Sequence, residues 1–235
     1  MTNLLYYFLL FLIYSILGWI VEMIYIYIVD KEWVNRGVLL GPYCPIYGVA
    51  AVVMVFYLSQ YKNNVLTVFI LATVLCTLLE YFTSYLMEKI FNARWWDYSD
   101  RKFNIDGRVC GENAILFGFA SIITLYVINP SITYFLNNIH IYVLVSISVA
   151  CLLTFITDCI ISYNTINRLR DSINSLKNRD STQEIKKMIK IQLNKNNKRL
   201  QHRIINAFPG INLDYFINKK KRNIFTSWFK KNKKN

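Results

Sequence analysis

The chain has 235 residues, of which 54% are hydrophobic, 16% aromatic and only 17% charged, a balance too apolar for a soluble domain of this size and incompatible with disorder or a collagen-like repeat. The net charge of +13 suggests a nucleic-acid partner until it is located: residues 1–163 carry 8 Lys/Arg against 10 Asp/Glu, whereas residues 164–235 carry 19 against 4. An apolar body (1–163) and a basic tail (164–235) therefore meet near Tyr163.

In chain order, the first apolar run covers residues 4–29 and holds a single charge, Glu22, so it is long enough to cross a hydrocarbon core of about 30 Å. No basic segment precedes it and no small-residue cleavage site follows, so it reads as a retained span rather than a leader. Further runs at 46–61, 65–87, 109–128 and 139–163 complete an all-α membrane protein of five transmembrane helices, the second and fourth short or interrupted. Lys and Arg stay on the cytoplasmic side of a membrane. Placing the N-terminus outside and the tail inside puts 26 basic residues in the cytoplasm and only Lys62 outside.

An offset of 70 residues aligns Gly37-Val-Leu-Leu-Gly41-Pro-Tyr-Cys-Pro-Ile-Tyr-Gly48 with Gly107-Arg-Val-Cys-Gly111-Glu-Asn-Ala-Ile-Leu-Phe-Gly118. Three glycines coincide, which predicts that spans 1 and 2 repeat as spans 3 and 4 in parallel orientation. The glycines lie where the chain re-enters from the cytoplasm, and Pro42 and Pro45 prevent a regular helix across that entry. Interrupted segments at matching places in two halves are the strongest pointer to a transporter's binding site, and free N–H groups there suit an anion.

Glu22, Glu80, Glu88 and Asp158 lie within apolar runs, where a carboxylate facing lipid costs about 2.5 to 3.5 kcal/mol on insertion scales. Helical spacing places Ser15, Gly18, Trp19 and Glu22 on one face, Thr73, Thr77, Glu80, Ser84 and Glu88 on another, and Cys151, Thr154 and Asp158 on a third. These faces are expected to meet around a cytoplasm-facing cavity, although capping or pairing with Arg36, Arg94 or Arg108 would also account for the acids. The inner loop mixes Arg94, Asp97, Asn104, Arg108 and Glu112 with Trp95, Trp96 and Tyr98. It reads either as an aromatic belt or as a lid over the cavity, with Asn35 and Arg36 supplying polar groups from the other inner loop.

The motifs Gly18-Trp-Ile-Val-Glu22, Asn35-Arg-Gly-Val-Leu-Leu-Gly-Pro-Tyr-Cys-Pro-Ile-Tyr-Gly48, Glu80, Glu88, Arg94-Trp-Trp-Asp-Tyr-Ser99 and Asn104-Ile-Asp-Gly107 resemble those of bacterial membrane proteins labelled putative ABC-transporter type IV (CmpB-like) permeases. The resemblance covers residues 1–163, with Asn206-Ala-Phe-Pro209 also similar, and it implies a transport role at the bacterial plasma membrane. Gly111-Glu-Asn113 is more polar than that pattern. The chain has no GxxxxGK[ST] phosphate loop, so an ATP-driven role requires a separate ATPase subunit.

The five cysteines form no CxxC pair or Cys/His set, and neither a metal nor a cofactor is expected. In the tail, Ile166, Leu169, Ile173 and Leu176 extend span 5 as a short amphipathic helix. A second helix is predicted over residues 182–208, and the last stretch mixes aromatics with Lys219, Lys220, Lys221 and Arg222 as an interfacial segment for anionic headgroups. The expected partners are lipid, an ATPase subunit and, as a further option, a second copy of the chain; nucleic acid is not expected. Three functions remain in view: a permease using Glu22 and Glu80 for substrate or protons with arginines and loop amides holding an anion, an enzyme acting on a lipid headgroup, and a sensor or scaffold.

Overall fold

A computed structural model describes residues 2–31, 33, 35, 37–91 and 94–175. Arg36 and the predicted tail helix and interfacial segment lie outside the described residues. The described residues fall into two compact units, one within 2–83 and 97–163, the other within 84–96 and 164–175.

The elements are helical throughout the described residues: α1 (Thr2–Asp30), α2 (Pro45–Leu58) with a 3₁₀ turn at Ser59–Tyr61, α3 (Val65–Phe91), α4 (Gly111–Ile123), a π turn at Thr124–Ile128, α5 (Asn129–Asn137) and α6 (Ile141–Ser175). Four stretches are long and apolar enough to span a membrane: Leu4–Ile28, Val65–Phe91, Gly111–Asn137 and Ile141–Arg168. The protein is an all-α polytopic membrane protein. Pro45–Tyr61 is the shorter apolar helix, and its 17 residues rise only about 25 Å. Its start is set by chemistry: Pro45 lacks an N–H and has a helical φ, so it suits the first turn, and Cys44 precedes it with extended backbone.

Helix ends follow local signals. Lys31 closes α1 in a left-handed conformation, φ 58°, and its N–H reaches Tyr27 O at 3.1 Å. Asn64 caps α3 by accepting from Thr67 N at 3.1 Å. Span 4 differs from its predicted end at residue 128, because the helix runs on to Asn137. Pro130 removes a backbone donor and crowds the preceding turn, and the wider π turn beside it accommodates that defect without ending the helix. Its neighbour Asn129, buried, accepts a hydrogen bond from Tyr14 OH at 3.2 Å.

The core of the first unit gathers Leu10, Tyr14, Met54, Val68, Ala72 and Leu125 from different helices. Large apolar residues such as Val21, Phe56, Leu66, Phe82 and Leu153 stay exposed, the arrangement expected where lipid rather than water is the solvent. Glycine allows two close helix approaches. A Cβ at Gly48 on α2 would run into Ser15 Oγ and the Phe11 carbonyl oxygen on α1; one at Gly118 on α4 would run into Thr73 Oγ1 and the Phe69 ring on α3. Both hydroxyls donate one turn back along their own helix, Ser15 to Phe11 O at 2.7 Å and Thr73 to Phe69 O at 2.8 Å.

Candidate functional site

Seven residues beyond Ser15 on α1 stands Glu22, and seven beyond Thr73 on α3 stands Glu80, two turns along the same helical faces. Each carboxyl receives a phenol. Tyr47, next to Gly48, donates to Glu22 Oε1; its ring occupies the space a side chain at Gly18 would fill, so that glycine admits the tyrosine to the acid. Tyr98 donates to Glu80 Oε1 at 3.3 Å, and the Asn113 side chain, in the first turn of α4, lies within reach of the same carboxyl. Tyr47 with Glu22 and Tyr98 with Glu80 are thus two carboxyl–phenol pairs, near enough to each other to interact electrostatically, and they are taken together as one cluster. Burial, then the carboxyls of Glu80 and Glu22, push the Tyr98 phenol well above its ordinary range, so it stays a donor at neutral pH.

Glu80 is only 7% exposed, yet its Oε2 has no hydrogen-bond partner. A buried acceptor left without a donor costs roughly 1 to 3 kcal/mol, more when charged. Such an oxygen calls for a donor from outside the protein's own side chains, a water, an ion or a ligand, or else stores strain.

The third intramembrane acid of this unit is held differently. Asp158 on α6 accepts from Leu40 N at 2.9 Å, Gly41 N at 2.7 Å, Ser162 Oγ at 2.8 Å and the Tyr43 hydroxyl. Burial, followed by the bonded Asp158 carboxylate, raises the Tyr43 phenol above its usual range. The carboxylate thus fastens the irregular segment before α2 to the last span. The loop amides, predicted to be open to an anion, are committed to this carboxylate instead.

The remaining predicted residues are placed as follows. Trp19 donates to Asn35 Oδ1 at 2.8 Å, tying α1 to the segment that follows it. Gly37 is buried in that segment, and Pro42 is exposed in it. In the inner loop, Asp97 accepts from Ser99 N at 3.0 Å, and Asn104 binds Arg101 O at 2.8 Å and accepts from Gly107 N at 3.2 Å, with Gly107 at φ 64°; these residues shape the loop. Buried Arg108 lies over the Tyr81 ring at 5.7 Å, and Tyr81 donates to Asp106 at 2.7 Å. Arg101 and Glu112, 60% and 64% exposed, pair at the surface at 3.3 Å, outside the carboxyl cluster. Gly111 opens α4. In the second unit, Arg94 Nε stands 3.9 Å from Glu88 Oε2, and buried Trp95 packs edge-on against Phe91, with Trp96 half-buried beside it.

Residues 9–163 match the family model described as putative ABC-transporter type IV. The chain belongs to this family. The family's description and the apolar helices together support a membrane transport role. Among curated proteins and solved structures, none matches the chain. Asn113, which the sequence marks as an unusually polar residue at the start of span 4, is a site neighbour, whereas Tyr43 and Tyr47 are neighbours that sequence patterning passes over. A tyrosine inside an apolar run reads as hydrophobic, and its hydroxyl becomes informative only once a carboxyl is known to face it.

Proposed function

We propose that the chain is the membrane-spanning subunit of a transporter, with its N-terminus outside and its tail in the cytoplasm, and that Glu22 and Glu80 line the cytoplasm-facing path of the substrate or a coupling proton. The observation that carries this reading is the Glu80 carboxyl, buried with one acceptor oxygen unused. A carboxyl kept away from water and incompletely bonded is suited to exchange a proton or accept a ligand's donor. The paired contacts Gly48 with Ser15 and Gly118 with Thr73 support a duplicated unit in which Glu22 and Glu80 are equivalent. Energy would come from a separate ATPase subunit, in keeping with the family and with the missing phosphate loop.

The test is release from proteoliposomes. Vesicles containing the full chain are loaded with a bacterial metabolite extract, and the compounds that exchange are identified by mass spectrometry. Protein-dependent exchange of a defined compound, lost in Glu80→Gln, is the expected result. Exchange unchanged in both Glu22→Gln and Glu80→Gln would remove these acids from the path.

A further inference from the structure

We infer that the ligand of the Glu22 and Glu80 cluster is a protonated nitrogen cation, a primary alkylammonium or guanidinium group, rather than an anion or a metal ion. The inference rests on the proposed transport site but concerns only what binds there.

Two carboxyls face one cluster, and the hydroxyl hydrogens of Tyr47 and Tyr98 are already directed at them. What the cluster still offers is acceptor capacity, above all Glu80 Oε2 without a partner, together with phenol oxygens that can accept as well as donate, and aromatic faces. An N–H-bearing cation supplies both missing quantities, a positive charge between two acids and a donor for Oε2. Tyrosine rings beside the acids add attraction for a cation lying over their faces.

Among the described residues of this unit, the loop amides before α2 and the arginines that would favour an anion are otherwise engaged. Leu40 N and Gly41 N bind Asp158, Arg101 pairs with Glu112 at the surface, and Arg108 lies over Tyr81. A calcium-like ion needs six or more oxygen ligands, and among the described residues no group of three or more His, Cys, Asp or Glu side chains is arranged to hold a metal.

The experiment measures thermal unfolding of the purified full chain at constant ionic strength. The probes are ethylammonium, guanidinium and tetramethylammonium chloride, with sodium chloride and sodium phosphate as comparisons. Low concentrations keep guanidinium below its denaturing range. Ethylammonium and guanidinium should raise the unfolding temperature saturably, by about 5 °C or more. Tetramethylammonium, which has no N–H to give Oε2, should do so at least tenfold more weakly. Glu80→Gln should weaken the ethylammonium effect at least tenfold and Tyr98→Phe several-fold. Stabilisation by phosphate or sodium alone, equal effects of all three nitrogen cations, or no effect beyond sodium chloride would overturn the inference. These outcomes are read on the unmodified chain, so they hold even if a variant fails to fold. Ethylammonium binding without any metabolite exchange in vesicles would overturn the transport reading and leave the ligand class standing.

Discussion

Asp158 and Glu80 are both carboxyls set into apolar helices, and the protein treats them in opposite ways. Asp158 is saturated, with two backbone amides and two hydroxyls converging on it. Glu80 has one long bond from Tyr98, the Asn113 side chain within reach, and a buried oxygen, Oε2, with no partner. A carboxylate whose lone pairs are occupied by its own chain is structural, because any ligand would have to displace bonds that hold the fold. One left incompletely bonded weakens the resting fold slightly and gains meaning only through what it binds.

That contrast breaks first at Asp158. Asp158→Ala leaves several buried donors without an acceptor and should lower stability by about 2 to 5 kcal/mol, read as a large fall in unfolding temperature of the purified chain. A change under about 0.5 kcal/mol would show that the Leu40 to Tyr43 segment is held by something else. Next in size, Gly48→Ala should cost about 2 kcal/mol and Gly118→Ala about 1, because the first meets a backbone carbonyl while the second meets side chains that can turn aside. Equal costs would mean that α1 and α2 slide apart as easily as α3 and α4. Removing one donor from the saturated acid, Tyr43→Phe, should cost about 1 kcal/mol in the same assay, whereas Tyr98→Phe should cost less, its bond to Glu80 being long at 3.3 Å. The reverse order would contradict the contrast.

The parts of this molecule that sequence makes legible are those governed by length and periodicity. Helices α1, α3 and α6 announce themselves because about 20 apolar residues leave few alternatives. The end of span 4 was not legible because the apolar run stops at Ile128 before Asn129 and Pro130, while the helix continues past them through a π turn. Pairing between helices was less legible. Gly48 and Gly118 stand 70 positions apart, but Ser15 and Thr73, which they meet, stand 58 apart, so no single offset displays both contacts. The Tyr47 bond to Glu22 and the Tyr98 bond to Glu80 cross 25 and 18 residues of chain, beyond any helical repeat. Glu22 and Glu80 were visible as anomalies, being charges in apolar runs, and Tyr98 was visible as part of an aromatic loop beside them; Tyr47 was not, because a tyrosine is no anomaly in an apolar run.

The central claim, that Glu80 serves a ligand rather than the fold, is tested most directly by measuring metabolite exchange and unfolding temperature on the same preparation of Glu80→Gln. The amide keeps the shape and removes the charge. The account predicts an unfolding temperature equal to or above that of the unmodified chain together with loss of at least nine-tenths of the exchange, as expected when a buried charge is neutralised at a binding site. A variant that exchanges at the unmodified rate, or one that unfolds several degrees earlier, would contradict it.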